Sequence, residues 1–387
     1  MKKLSTRTEH FTDSVIRRMT RISNQYGAVN LSQGFPDFDP PGEITDRLAE
    51  VAKEGPHQYA LTWGAQNFRE AVAKKQEHFR GMKVDPNTEI TVTCGSTEAM
   101  MAAMMSVCNP GDKVVIFSPF YENYGADTIL SGAEPVYVPL VPPDYHFDGN
   151  VLEDAVKQEG VKALVLCNPS NPCGKVFRRD ELRIIADLAV KYDIYVITDE
   201  VYEHILYQPH EHICIAAMPG MRERTIICNS LSKTYSITGW RLGYVIASPE
   251  ITDRIKKVHD FLTVGAAAPL MEAAVVGLRF PDSYYQELQR HYTHMRSLFV
   301  EGLEEIGLPF TKPEGAYYVM VDISEFGYES DLCFCEELAR KVGVGAVPGS
   351  SFFREPENRY IRFHFAKQDA TLYKALDRLM DIRRKMK

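Results

Sequence analysis

The sequence predicts an α/β fold, with a large domain built on a mostly parallel seven-stranded sheet and a smaller α+β domain beside it. Three observations predict it. Between about Glu89 and Ala247, short apolar runs alternate with longer stretches of helical period. Several of those runs are apolar at consecutive rather than alternate positions, as strands covered on both faces require. After Pro281 the alternation gives way to one long helical pattern and two isolated apolar runs. Repeated strand–helix units close a parallel sheet through right-handed crossovers, which gather the carboxyl ends of the strands on one edge, where open α/β sheets bind ligands.

Taken in order, the N-terminal 40 residues are rich in turn formers and are expected to wrap onto the smaller domain. The strand candidates are Glu89–Thr93, Val114–Phe117, Pro135–Pro139, Ala163–Cys167, Tyr195–Thr198, Thr225–Asn229 and Gly243–Ala247. Helices are expected between them, at Glu98–Val107, Arg179–Tyr192 and Ile251–Leu262. Ser283–Ile306 has the period of one long helix, with Gly302 a weak point and Gly307 and Pro309 as stop signals. A strand at Tyr317–Val321, a helix around Leu332–Lys341, a strand at Tyr360–Phe365 and a closing helix complete the chain. The expected division is a large domain of residues 45–285 and a small one made of residues 1–44 and 286–387. No repeat and no long linker separates the two, so they are expected to share one site.

Composition narrows the function. Of 387 residues, 45% are hydrophobic, enough for a substantial core. Against 52 Asp and Glu stand 44 Lys and Arg, a net charge of −8 that disfavours a nucleic-acid or anionic-membrane surface. The basic run Arg383, Arg384, Lys385 and Lys387 suits a solvated helix end. The 8 cysteines form no CxxC pair, and His291 and His294 lack the neighbouring Glu of an HExxH motif, so no metal is expected. The first residues lack the apolar core of a secretory signal, and Val264–Leu278 is too short and too interrupted to span a bilayer. A cytoplasmic protein with free thiols is expected. No GxGxxG follows a strand and no GxSxG elbow exists, against a dinucleotide dehydrogenase or a serine hydrolase.

Four predicted strands end in reactive polar clusters. Thr91–Glu98 runs from strand to helix through Gly95, Ser96 and Thr97, which suits either ordinary helix capping or close backbone approach to a phosphate. Cys167–Gly174 carries two Asn-Pro pairs around Asn171, a rigid turn that could also aim an amide at a ligand. Asp199 ends a very apolar strand, where a carboxylate needs a positive partner, structural or bound. Lys233 follows another buried strand, bracketed by small hydroxyl residues and followed by Arg241; low dielectric and a neighbouring cation depress a lysine pKa, as imine-forming lysines require. A phosphate cradle, a lysine for an aldehyde, a carboxylate for a ring nitrogen and a tyrosine for a phenolic oxygen together imply pyridoxal 5′-phosphate (PLP).

Three segments carry a family resemblance: Leu31-Ser-Gln-Gly-Phe-Pro-Asp37, Ser230-Leu-Ser-Lys-Thr-Tyr-Ser-Ile-Thr-Gly-Trp-Arg241 and Tyr360-Ile-Arg362-Phe. With Asp199 and Asn171 at matching spacing, the chain resembles, over nearly its whole length, the class I, fold-type I PLP-dependent aminotransferases of the aspartate, aromatic and kynurenine group. The resemblance implies that Lys233 holds PLP covalently and moves a proton. It implies that Asp199 pairs with the pyridine nitrogen, that Tyr202 and Asn171 bind the phenolic oxygen and that Tyr121 stacks on the ring. Ser96, Thr97, Ser230 and Arg241 would hold the phosphate, with Gly95 allowing close approach. Arg362 and the Gly34 backbone would bind the substrate α-carboxylate. Tyr59 would reach the phosphate of a neighbouring subunit, implying a homodimer.

The activity so implied is transfer of the amino group of a neutral, aromatic or aspartate-like L-amino acid to a 2-oxo acid, by a ping-pong mechanism, with 2-oxoglutarate the expected acceptor. A cysteine-S-conjugate or cystathionine β-lyase on the same fold is the alternative. A regulator with this domain behind a winged helix is not expected, because the resemblance starts close to the N-terminus. Thr97 stands where members of the bacterial aspartate subgroup often carry a Lys, so neutral and aromatic side chains are expected to be accepted at least as well as aspartate. Tyr26, Phe35 and Tyr121 would form the side-chain end of the pocket, with a mobile cation from Arg17–Arg21 meeting a second carboxylate.

Overall fold

A computed structural model describes residues 2–9, 11 and 13–387. Its large sheet has seven strands in the spatial order Ile90–Thr93, Gly243–Ile246, Thr225–Ser230, Tyr195–Asp199, Val161–Cys167, Lys113–Ser118, Glu134–Pro139. All neighbours are parallel except Gly243–Ile246, which runs antiparallel to the strands on both its sides. The consecutive apolar residues have the expected cause. Leu164 and Leu166 pack into one layer, with Leu182 and Ile185 of the helix Arg179–Lys191, while Val165 packs into the opposite layer, with Ala99 and Ala103 of the helix Ser96–Val107. Alternate side chains therefore leave opposite faces, and both faces are covered.

The smaller sheet is antiparallel, in the order Val347–Pro348, Tyr360–His364, Tyr318–Asp322, Phe310–Thr311. It shares a core with the helices Asp282–Ile306 and Asp369–Leu379. Gly302 does not weaken the long helix, which runs unbroken through it. A Cβ there would lie 2.5 Å from Leu376 Cδ1, so the missing side chain lets the last long helix approach.

The N-terminal segment departs from the turn-rich expectation. Val15–Gln25 is a helix, with Ser14 Oγ accepting the Arg17 N–H at 3.4 Å as its cap. Ile16, Met19 and Ser23 are buried and Ile22 packs on the small-sheet core, a helical spacing that the intervening arginines and polar residues obscure. After it, Val29–Asn30 pairs in parallel with Val344–Gly345.

Below the end of the strand Tyr195–Asp199 lies a buried ionic network. Arg80, closing the helix Gln66–Arg80, pairs with both Glu200 and Glu203, while Lys75 Nζ lies 2.5 Å from Glu203 Oε1 and Asn229 donates to the same oxygen at 2.9 Å. The turn carrying Asp199 and Tyr202 is thereby fastened from beneath.

Candidate active site

The carboxyl ends of the central strands and the two inner strands of the small sheet, through Tyr318 and Arg362, enclose one cavity of about 860 Å3, lined by Asp199, Lys233, Asn171, Tyr202 and Tyr121 among others. Asp199 is in register with Cys167 on one neighbouring strand and Cys228 on the other, so its carboxylate leaves an apolar slot and is 6% exposed. Burial pushes its pKa up to about 6. Hydrogen bonds from the Tyr124 hydroxyl to Oδ2 at 2.8 Å and from the Val201 N–H to Oδ1 at 3.3 Å oppose that rise, as does the charge of Lys233.

Lys233 follows the strand Thr225–Ser230 and is half-buried. Nζ donates to the Gly34 carbonyl at 3.3 Å and stands 5.8 Å and 5.6 Å from the ring centroids of Tyr202 and Tyr317. Burial lowers its pKa to about 8; Asp199 works against that shift, and the charges of Arg241 and Arg362 add to it. The Tyr202 and Tyr318 hydroxyls share a hydrogen bond at 2.8 Å.

Arg362 lies mid-strand in Tyr360–His364 and is 1% exposed. Its guanidinium is clamped between the rings of Tyr318 and Phe352, 4.2 Å and 4.5 Å from their centroids. Nη1 donates to Asn171 Oδ1 at 2.6 Å and Nη2 to the Ser32 carbonyl at 3.0 Å, while Nε is buried without a partner. A planar fork held this way offers fixed donors for a carboxylate.

The opposite end of the cavity is built for an anion. Gly95, with φ of +81°, precedes the helix Ser96–Val107 and gives it no side-chain cap, so the first N–H groups stay available. A Cβ at Gly95 would run into the Arg241 guanidinium, and one at Gly243 would lie 2.6 Å from the Gly95 carbonyl carbon. Ser96, Thr97, Ser230, Ser232 and Arg241 line this end. Arg241 itself sits in the left-handed region, φ +55°, with Nη1 donating to the Thr238 carbonyl at 3.0 Å. The one carboxylate in the first helical turn, Glu98, is engaged by His259 at 2.5 Å and by the Thr263 hydroxyl at 2.9 Å.

These groups fit PLP: a side-chain-free turn for a phosphate, a buried carboxyl for a ring nitrogen and a lysine with depressed pKa for an aldehyde. The three lie in one cavity. Among the described residues no group of three His, Cys, Asp or Glu is placed to hold a metal ion, and His294 pairs with Asp369 at 2.9 Å. All eight cysteines are free.

Not every expected residue reaches the cavity. Tyr59 lies outside it, 87% exposed. Tyr26 is also outside, a correction to its expected place: it closes the N-terminal helix, its N–H bonded to the Ile22 carbonyl at 3.2 Å. Phe35 does line the cavity. Of the Arg17–Arg21 stretch, Arg17 lines it, whereas Arg18 is tied to Glu336 at 2.6 Å. Tyr124, Tyr318, Glu122 and Asp127 line it without having been anticipated. Tyr318 had a signal in the strand pattern, because Tyr318 and Met320 alternate onto one face and Met320 is the register partner of Arg362.

Comparison with known proteins agrees with this geometry. The family model "Aminotransferase class I and II" matches residues 26–379. The methionine aminotransferase of Escherichia coli is 36% identical, over 95% of this chain and 96% of its own length. Human kynurenine–oxoglutarate transaminase 1 is 33% identical over 91% and 92% of the two chains. Among solved structures, the Escherichia coli methionine aminotransferase YbdL aligns with a TM-score of 0.94 at 36% identity, covering 98% of this chain and 100% of that one. Aspartate aminotransferase from Thermus thermophilus with maleate aligns with a TM-score of 0.91 at 29% identity, covering 99% and 100%.

Proposed function

Since the chain belongs to the class I and II aminotransferase family, and is thus a PLP-dependent enzyme of fold type I that transfers amino groups, we propose that its donors are neutral and aromatic L-amino acids, methionine among them, and its acceptor 2-oxoglutarate. The observation that carries the reading is the joint presence of Lys233, Asp199 and Arg362 in one cavity.

When bound, PLP supplies an electron sink for negative charge developing at the substrate Cα. In this reading Lys233 anchors it and then carries the proton at Nζ to and from Cα. A lysine pKa near 8 leaves a useful fraction neutral at working pH. Asp199 keeps the ring nitrogen protonated; Tyr202 and Asn171 orient the phenolic oxygen; Tyr121 covers a ring face. Ser96, Thr97, Ser230 and Arg241 hold the phosphate at the turn that Gly95 leaves open. Arg362 grips the substrate α-carboxylate, beside the Gly34 backbone.

Side-chain choice rests on the mouth of the cavity. Glu122 accepts a hydrogen bond from Ser14 there and puts negative charge in the same cavity as Arg362, so a donor with a second carboxylate is at a disadvantage. Arg17, exposed and without an ion-pair partner among the described residues, is the cation available to a dicarboxylate acceptor.

A cytoplasmic homodimer completes the reading, with Tyr59 serving the partner's phosphate. Tyr59, Leu61, Phe261 and Val264 are exposed on two segments tied together where His259 Nε2 meets the Thr62 carbonyl at 2.7 Å, an apolar surface suited to a second copy. The reading also divides the chain at residues 45–285 against 1–44 and 286–387, with the substrate held between. Half-reactions with single amino acids test it: conversion of bound cofactor to the amine form by methionine and phenylalanine supports it. Release of ammonia and pyruvate from cysteine conjugates, without that conversion, would assign a β-lyase instead.

A further inference from the structure

One buried acid in the cavity has no place in that scheme. Asp127 lies on the short helix Asn123–Leu130, one turn beyond Tyr124, and is 5% exposed. Its Oδ2 has no hydrogen-bond partner, and no cation pairs with it among the described residues. It lines the same cavity as Asp199 and Lys233, next to Met101 and Leu130. A buried carboxyl without a partner is costly and is normally removed or paired. Asp199 lines the same cavity, and Tyr124, one turn before Asp127 on the same helix, donates to Asp199 Oδ2.

We propose that Asp127 acts through Asp199 on the cofactor's ring nitrogen, as a second buried carboxyl whose negative charge, once ionised, tightens the hold on the ring proton. The surroundings support this. The titratable groups about Asp127 are Asp199 and Cys228, from two central strands, and Tyr121, from the approach to its helix; Tyr124 lies one turn before it, and the Tyr137 hydroxyl, from the strand Glu134–Pro139, packs at Gly125 on the same helix. The helix Ser96–Val107 presents the thioethers of Met101 and Met104 and one acid, Glu98, which His259 already engages. None of these is a cation, so the positive charge within reach would come from Lys233 or from the bound cofactor. Burial, and after it the charge of Asp199, push the Asp127 pKa up to about 7. Asp127 is therefore neutral in mild acid and gains charge across neutrality, where the ring proton would otherwise become easier to lose. Two coupled acids titrate as a pair rather than singly.

The inference rests on Asp199 being the partner of the ring nitrogen, so the experiment includes Asp199→Asn beside Asp127→Asn and Asp127→Ala. The readouts are the pH titration of the holoenzyme's visible absorbance and the Kd for PLP at mildly acid and mildly alkaline pH. In both Asp127 variants the midpoint should fall by about 0.5–1 pH unit, the size expected for losing one nearby charge at moderate range. PLP should bind about three- to tenfold more weakly at alkaline pH and equally in acid, since 1.4 kcal/mol is tenfold. An unchanged midpoint and Kd, or equal weakening at both pH values, would overturn the role of Asp127. Should a variant fold poorly, the wild type decides. Its titration must be broader than a single ionisation, and a one-proton curve overturns the proposal. If Asp199→Asn also leaves both readouts unchanged, the assignment of Asp199 fails instead.

Discussion

Arg362 Nη1 donates to Asn171 Oδ1 at 2.6 Å, joining an inner strand of the small sheet to the turn that leaves the large one. The residue proposed to grip the substrate is thus held by a residue proposed to grip the cofactor, and neither can shift alone.

Arg362→Lys keeps the charge but loses the fork and the clamp between Tyr318 and Phe352. A single ammonium cannot bond Asn171, Ser32 and a carboxylate with the same geometry. Half-reaction kinetics should show kcat/KM for methionine falling about 100-fold, some 2–3 kcal/mol, mostly through KM. A variant within threefold of the wild type would remove Arg362 from substrate binding.

Lys233→Ala should bind PLP without a covalent link and lose turnover almost completely. Mass analysis after borohydride reduction is expected to find the cofactor on Lys233 in the wild type and nowhere in the variant. Label on another lysine would reassign the anchor.

Asp199 also makes a stability prediction with a definite sign. Its pKa is raised from 3.8 to about 6 in the fold, so the folded apoenzyme holds the proton more tightly than the unfolded chain does. The associated stability is full below pH 4 and is lost as pH rises through about 6. Asp199→Asn should therefore stabilise the apoenzyme at neutral pH, by about 1–3 kcal/mol, with the gain fading in acid. Urea midpoints at several pH values measure it. In the same variant the amino-transfer rate should fall by several orders of magnitude, at about 1.4 kcal/mol per tenfold.

Arg80→Ala takes the arginine from Glu200 and leaves Glu203 with Lys75 alone as its cation; the two carboxylates are 1% and 5% exposed. Removing one partner of a buried ionic group costs about 3–5 kcal/mol, and the damage here lies directly under Asp199. Denaturant midpoints should drop accordingly, with PLP affinity falling alongside. A midpoint close to that of the wild type would mean that water reaches the network.

How much of this was readable from the chain follows from where each residue's partners lie. The central strands were legible because Leu164, Val165 and Leu166 must be apolar together once helices cover both faces. Asp199 and Lys233 were legible because polar groups at the ends of such strands have few other uses. The helix Val15–Gln25 was not, since its buried Ile16 and Met19 are few and much of the surface they cover is formed by residues beyond position 330, Val347 and Phe352 among them. Tyr124 and Asp127 occupy a helix of eight residues, too short for a periodic signal, and their importance comes only from packing beside Asp199. Gly302 was misread for the same reason, because Leu376 supplies its meaning.

Arg362 Nη2 bonds the carbonyl of Ser32, 330 residues earlier in the chain. During synthesis the stretch around Ser32 leaves the ribosome while Arg362 is still unmade. The Val29–Asn30 strand must also wait for Val344–Gly345. The nascent protein can thus assemble its large sheet and even the Lys233 turn while the N-terminal helix and strand have no surface to settle on. In the proposed reading, substrate recognition must wait until Arg362 has emerged and met Ser32, so a nascent chain stalled before Arg362 should be blind to amino acids.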